Sequence, residues 1–299
     1  MKILASGMSG TIGLALLPAL ASERHTIVRL KTGVARSQNE IAWDPGKPLN
    51  PELIGGFDAV IHLAGENIFG RWSQAKKTRI RDSRVKGTQH VCEALAHGEN
   101  KPGVLIAGSA IGYYGNRGDE TLTEESALGK GFLAETCREW EAATQPAEQA
   151  GWRVIHLRTG VVLSTREGAL KKMLLPFRLG LGGKIGSGRQ WLSWISIADT
   201  VAAILHCLKT ESLRGPVNMV APNPVTNAEF SRTLGKALHR PTFATVPAFA
   251  TKFLFGPEMA EETVLTSQRV LPKRLLESGF KFQQPDLSGA LKKLLQKQQ

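Results

Sequence analysis

The sequence predicts an α/β protein built on a doubly wound parallel sheet, with a smaller, loop-rich and helical C-terminal lobe. Three observations lead there. Short apolar runs of strand length recur with room for a helix between them, the intervening segments carry apolar residues at helical spacing, and glycine and proline thicken only past about residue 165. A chain of 299 residues, 42% hydrophobic and 21% charged, can bury a core without disulfide or metal staples and is too apolar for disorder. Its mean hydropathy of -0.13 and scattered charges leave no internal membrane span, and no membrane partner is expected.

Taken in order, Lys2-Ile3-Leu4-Ala5-Ser6 reads as a short buried strand, and 12–21 as a helix with apolar residues at 12, 16, 17 and 20. Residues 3–22 carry no charge, and Ala19-Leu20-Ala21 resembles a signal cleavage site. Glycines at 7, 10 and 13 argue against a signal helix, which they would weaken. They fit a strand-to-helix turn instead. Glycine permits positive φ and leaves room for a pyrophosphate, whose oxygens then meet the free N–H groups of the helix start. Gly7, Ser9, Gly10, Thr11, Ile12 and Gly13 are therefore the first cofactor-binding candidates, with an ordinary turn as the bland alternative. Further strands are expected over 26–30, 57–65, 103–109, 153–158 and 216–220, and helices over 73–97, 132–150 and 199–209. Residues 1–165 then form most of the nucleotide domain, to which later strands return near 189–221. Residues 166–299 form most of the substrate lobe.

Charge is lopsided: 38 Lys and Arg against 26 Asp and Glu give +12 and an isoelectric point near 9.8. Such a balance invites nucleic acid, but no recognition helix or aromatic-interleaved basic motif accompanies it, so no specific nucleic-acid binding is expected. Between Glu23 and Glu40 there is no acid, whereas Arg29, Lys31 and Arg36 are present. An NAD site places an Asp or Glu about 20 residues past the glycine loop to hold the ribose. Its absence favours NADP, with Lys31 and Thr32 nearest the strand end; a solvated basic loop is the alternative. Three cysteines, Cys92, Cys137 and Cys207, lie far apart without His partners, which indicates neither a disulfide framework nor a metal site and fits a reducing cytoplasm.

Together, Gly7, Gly10 and Gly13, then Leu63-Ala64-Gly65, Ser109 before Tyr113-Tyr114-Gly115, Leu157-Arg158-Thr159-Gly160 and Trp194-Ile195-Ser196-Ile197-Ala198-Asp199 resemble the successive landmarks of extended short-chain dehydrogenase/reductases. More narrowly, Glu66-Asn67-Ile68, Arg71-Trp72, Ser83-Arg84, Leu175-Pro176-Phe177-Arg178 and Gly186-Ser187-Gly188 are similar to an atypical branch, the epimerase family proteins related to short-chain dehydrogenase family 39U member 1. The likeness spans essentially the whole chain. It includes 246–294, which resembles that branch's small helical C-terminal domain. It implies a Rossmann fold, NADP as cofactor, a small-molecule substrate, and Leu63, Ala64, Arg84 and Arg158 at the dinucleotide crevice. Arg158 could equally brace a loop.

Standard extended reductases use a Tyr-x-x-x-Lys pair, in which the lysine lowers the tyrosine pKa so that the phenol can exchange a proton. With Glu141 as the anchor, those positions hold Leu133 and Cys137 here. The remaining candidates for a catalytic hydroxyl are Ser109, at a strand end, and Tyr113 and Tyr114 in the loop beyond it. A strand-end cap and packed phenols are the alternatives. Arg189, Trp191 and Trp194 are expected on the substrate rim. The resulting reading is an NADP(H)-binding oxidoreductase that transfers hydride to or from an unidentified carbonyl, alcohol or sugar-nucleotide-like substrate. The second reading is a sensor or binding module that has lost turnover. A homo-oligomer is compatible with either.

Overall fold

The computed structural model describes residues 1–98 and 103–296. Its centre is one parallel sheet of seven strands: β1 (Lys2–Ser6), β2 (Thr26–Thr32), β3 (Glu40–Trp43), β4 (Ala59–His62), β5 (Val104–Ala110), β6 (Arg153–Thr159) and β7 (Gly215–Met219). The strand order is 7-6-5-4-1-2-3. The chain runs outward from β1 to β3, then crosses back to lay β4 on the other side of β1, so the order reverses between β1 and β4. Alternation along each apolar run explains why both faces are covered. Ile3, Ala5, Ala59, Ile61, Val104 and Ile106 enter one core, while Leu4, Val60, Leu105 and Ala107 enter another.

The connections are helical: α1 (Thr11–Ser22), α2 (Gln74–His97), α3 (Phe132–Ala142), α4 (Gln145–Gln149), α5 (Gly168–Arg178), α6 (Ile197–Lys209), α7 (Asn227–Leu238) and α8 (Ala248–Phe255). Leu16 and Leu20 of α1 and Ala203 and Ile204 of α6 fill the first core; Val91, Cys92 and Leu95 of α2 and Ala147 of α4 fill the second. The helix expected over 132–150 is two helices. Pro146 removes a backbone N–H, and Thr144 turns its hydroxyl back to the Glu141 carbonyl at 2.8 Å and to His156 Nε2 at 2.9 Å. Strand β3 was not foreseen.

A third core, with Leu163, Leu170, Phe177, Trp194, Phe230 and Leu291, belongs to the C-terminal lobe. Short strand pairs stitch that lobe together: 161–163 with 194–196, 183–185 with 244–246, and 121–122 with 269–270. Trp194, expected on a substrate rim, is a core residue with no exposure, and its indole N–H donates to the Asn223 carbonyl at 3.1 Å. The three cysteines are free and buried. Among the described residues no helix is long and apolar enough to cross a membrane, and no cluster of His, Cys, Asp and Glu is arranged to hold a metal ion.

Candidate functional site

The switch point between β1 and β4 is where an open parallel sheet leaves a crevice. The glycine loop forms its floor. Gly7 has φ +72, and a Cβ there would lie 2.5 Å from the Leu63 carbonyl carbon and 2.7 Å from the Ala64 nitrogen. Only glycine fits, because β4 leaves the sheet against this residue. A Cβ on Gly13 would stand 2.4 Å from the Met8 Cα, so the first turn of α1 presses directly onto the loop.

Gly10 is different. Its backbone is extended, it caps α1 with no side chain, and its added Cβ would meet only the Gly7 carbonyl oxygen at 3.5 Å. The N–H groups of Thr11, Ile12 and Gly13 consequently have no intrahelical acceptor. Ser9 and Gly10 are exposed in front of them. Thr11 donates its hydroxyl to Glu167 at 3.3 Å, which sets a carboxylate beside the positive end of α1. This is a cradle for anionic oxygens, and the glycines fit the close approach of a pyrophosphate.

Beyond the ends of β2 and β3, Thr32, Gly33, Ala42, Trp43, Asp44 and Pro45 line an open pocket of about 580 Å³. The field there is less positive than the acid-free stretch implied. Glu40, on the unforeseen β3, accepts from Arg29 at 2.6 Å and from the Arg36 backbone N–H at 2.8 Å, and lies 3.6 Å from Lys31. The Arg36 N–H and the two cations hold the Glu40 carboxyl below the usual range. The Arg36 side chain remains exposed at this edge.

Beneath the crevice sits a residue that the sequence reading passed over. His62 ends β4, is 1% exposed, and shares a hydrogen bond with Ser6 at 2.7 Å across the β1–β4 pair. Its Nε2 has no partner among the described residues, and burial pushes its pKa down to about 4. The imidazole is therefore neutral at pH 7. A strand ending in His at the switch point was the available signal.

Of the remaining cofactor candidates, Leu63 and Ala64 place their backbone against Gly7. Arg84 is a strut under the loop after β4: it donates to the carbonyls of Glu66 at 2.9 Å and Ile80 at 3.0 Å, and its guanidinium faces the Trp140 ring. It shapes the crevice through Gly65, against which it packs. Arg158 lies deeper. It is 3% exposed and gives a two-point ion pair to Glu141, at 2.8 Å from both Nε and Nη2. A guanidinium so enclosed braces the sheet.

The same pair engages two of the catalytic candidates. Ser109 is 4% exposed and donates to Glu141 Oε1 at 2.7 Å. Tyr114 is fully buried, accepts from Arg158 at 3.1 Å and donates to Asn218 at 2.7 Å; burial raises its pKa. Both hydroxyls are consumed in a buried network, because Glu141 and Arg158 each need every lone pair and proton satisfied once out of water. Tyr113 alone stays half-buried, its ring 3.5 Å from the Arg158 guanidinium.

Leu133 and Cys137 occupy the wall where a Tyr-x-x-x-Lys pair would stand. A Cβ on Gly112 would come within 3.2 Å of the Leu133 Cβ and 3.8 Å of the Cys137 sulfur, so both pack against the turn 111–114 that follows β5. Burial pushes the Cys137 thiol up to about 12, which leaves it protonated and inert. The C-terminal segment roofs this wall. Glu262 accepts from the backbone N–H groups of Phe132 at 2.8 Å and Leu133 at 2.7 Å, completing the first turn of α3, while Lys77 pairs with Glu258 at 2.6 Å and Arg71 donates to the Phe253 carbonyl at 2.7 Å. On the loop after β4, Glu66 pairs with Lys76 from the first turn of α2 at 2.6 Å; the lysine holds the Glu66 carboxyl below its usual pKa.

Strand order, a glycine cradle at the switch point and free helix N–H groups above it define a Rossmann-fold protein of the short-chain dehydrogenase type. The chain belongs to the NAD dependent epimerase/dehydratase family, which residues 3–220 match, and residues 246–294 match a domain of unknown function, DUF1731. It is 43% identical over 288 residues to epimerase family protein Mb2239 of Mycobacterium bovis, covering 96% of this chain and 95% of that one. It is 36% identical over 302 residues to human epimerase family protein SDR39U1, covering 99% and 100%. A crystal structure of that human protein with NADPH superposes with a TM-score of 0.91 at 33% identity, covering 99% of each chain.

Proposed function

We propose that the protein is an NADP(H)-binding oxidoreductase of the atypical extended short-chain type, acting on a carbonyl or alcohol substrate. The single observation that carries this reading is the uncapped start of α1 above Gly7, where Gly10 keeps three backbone N–H groups open. The human relative crystallised with NADPH supports the same cofactor. Thr11, Ile12 and Gly13 would hold the pyrophosphate, and Lys31, Thr32 and Arg36 the ribose 2′-phosphate. When bound, the nicotinamide supplies or accepts a hydride.

The chain's own part in the chemistry differs from that of a standard epimerase. Leu133 and Cys137 supply no proton, and Ser109 and Tyr114 are engaged elsewhere. Proton exchange then falls to Tyr113 or to the pair between Glu66, on the loop after β4, and Lys76 of α2. The apolar wall of α3 excludes water from that side. The second reading, a cofactor-dependent sensor, is favoured by the same missing pair.

Titration with NADPH and NADH, followed by cofactor consumption across a panel of carbonyl compounds, separates the two. NADPH should bind at least about tenfold more tightly than NADH, equivalent to about 1.4 kcal/mol. Equal affinity removes the 2′-phosphate assignment, and tight binding without oxidation of NADPH by any carbonyl gives the sensor the better claim.

A further inference from the structure

Among the described residues 13 large hydrophobic side chains are exposed, and seven of them fall in two short stretches. Leu175, Leu179 and Leu181 lie on and beyond α5; Phe243, Phe249, Phe253 and Leu254 lie on and before α8, and each of the seven is at least 65% exposed. The stretches form one surface. Strand 183–185 pairs with 244–246, bringing Leu181 beside Phe243, and Arg240 donates to the Arg178 carbonyl at 2.8 Å. At the other end Phe69 meets Phe255 at 5.1 Å between ring centroids, and the Lys172 ammonium lies 3.1 Å from the Phe69 centroid. Three phenylalanines at 75–94% exposure present on the order of 400–600 Å². That alone matches the largest apolar patch of an ordinary monomer.

Charge decides what covers it. Residues 171–184 and 236–254 hold seven Lys and Arg and no Asp or Glu. Lys252 pairs with Glu261, whereas Lys171, Lys172, Lys184, Lys236 and Arg240 have no carboxylate partner among the described residues. A second copy related by a two-fold axis would set this cationic surface against itself. A layer of anionic headgroups over acyl chains complements both of its components: aromatic and leucine side chains enter the boundary, and the basic side chains meet phosphates.

We propose that this face of the C-terminal lobe docks reversibly on an anionic lipid bilayer. The expectation of no membrane partner rested on the lack of an apolar span, which surface docking does not need. The inference is independent of the cofactor reading, and it gives part of the +12 a location and a use.

Co-sedimentation of the full chain with extruded vesicles, of phosphatidylcholine alone or mixed with phosphatidylglycerol, tests it. Partition onto the mixed vesicles should exceed that onto neutral ones at least about tenfold at low salt and fall at high salt. F249S/F253S and K171E/K172E should each lose that binding about tenfold while keeping the native melting temperature, since all four side chains are exposed. Equal partition onto both vesicles, no partition, or variants that sediment like the native chain would overturn the proposal. So would a light-scattering mass of two chains that falls to one in F249S/F253S, which assigns the face to a second copy.

Discussion

Gly10→Val isolates the anion cradle from the fold. Gly10 sits at φ -83 and ψ 173, a conformation valine adopts readily, and the new Cβ meets only the Gly7 carbonyl oxygen at 3.5 Å. An uncapped helix start loses little by this exchange, about 1 kcal/mol or less. The isopropyl group, however, stands in front of the N–H groups of Thr11 and Ile12. Two charge-assisted hydrogen bonds at about 1.5–3 kcal/mol each amount to about 3–6 kcal/mol, or a loss of roughly two to four orders of magnitude in NADPH affinity. Isothermal titration gives the affinity and thermal melting confirms the fold. A folded variant that binds NADPH within about threefold of the native chain would refute the assignment, because no pyrophosphate could then occupy this turn. Gly7→Ala cannot serve in its place. At φ +72 and 2.5 Å from the Leu63 carbonyl carbon, a methyl group there damages the β1–β4 junction itself.

Three further outcomes are expected. Arg36→Gln should lower NADPH affinity and leave NADH affinity unchanged, as read by paired titrations; equal loss for both cofactors would place the 2′-phosphate elsewhere. Glu141→Gln strands the buried Arg158 charge, so urea unfolding should show a loss of about 3–5 kcal/mol, against well under 1 kcal/mol if the pair were solvated. His62 is neutral in the fold, with a pKa of about 4 against an unperturbed 6.5, so the unfolded chain takes up its proton first on acidification. Its contribution is whole above about pH 6.5 and declines toward pH 4, by about 3 kcal/mol in total. His62→Asn should flatten the pH dependence of stability by that amount over this range, and identical slopes would contradict a buried neutral imidazole.

The sheet was legible because strands covered on both faces must be apolar almost without interruption, and six of its seven strands read that way. Strand β3 escaped because Glu-Ile-Ala-Trp is short, opens on a charged residue and lies at an edge. Missing it concealed Glu40, which changes the electrostatics of the cofactor edge from three open cations to a partly neutralised cluster. Pro146 was a visible signal for the break between α3 and α4. The fates of Ser109, Tyr114 and Arg158 were not readable locally. Their common partner, Glu141, lies 17 residues from Arg158 and 32 from Ser109, and only the packing of α3 on β5 brings the three together. The glycine cradle was legible because three closely spaced glycines between a strand and a helix announce it, although the steric demand at Gly7 comes from Leu63 and Ala64 far along the chain.

Glu262 has a bearing on how this molecule could be taken apart or rebuilt. The helix whose counterpart in standard reductases carries the reactive tyrosine has its first turn finished by a side chain about 130 positions later. Gly131, at φ +111, cannot be exchanged for a self-capping Ser or Asp without strain. The two halves are thus not interchangeable parts. A chimaera joining this sheet to a foreign C-terminal segment would need a carboxylate at the same point, and a chain cut before residue 246 would leave α3 open at the end that faces the crevice.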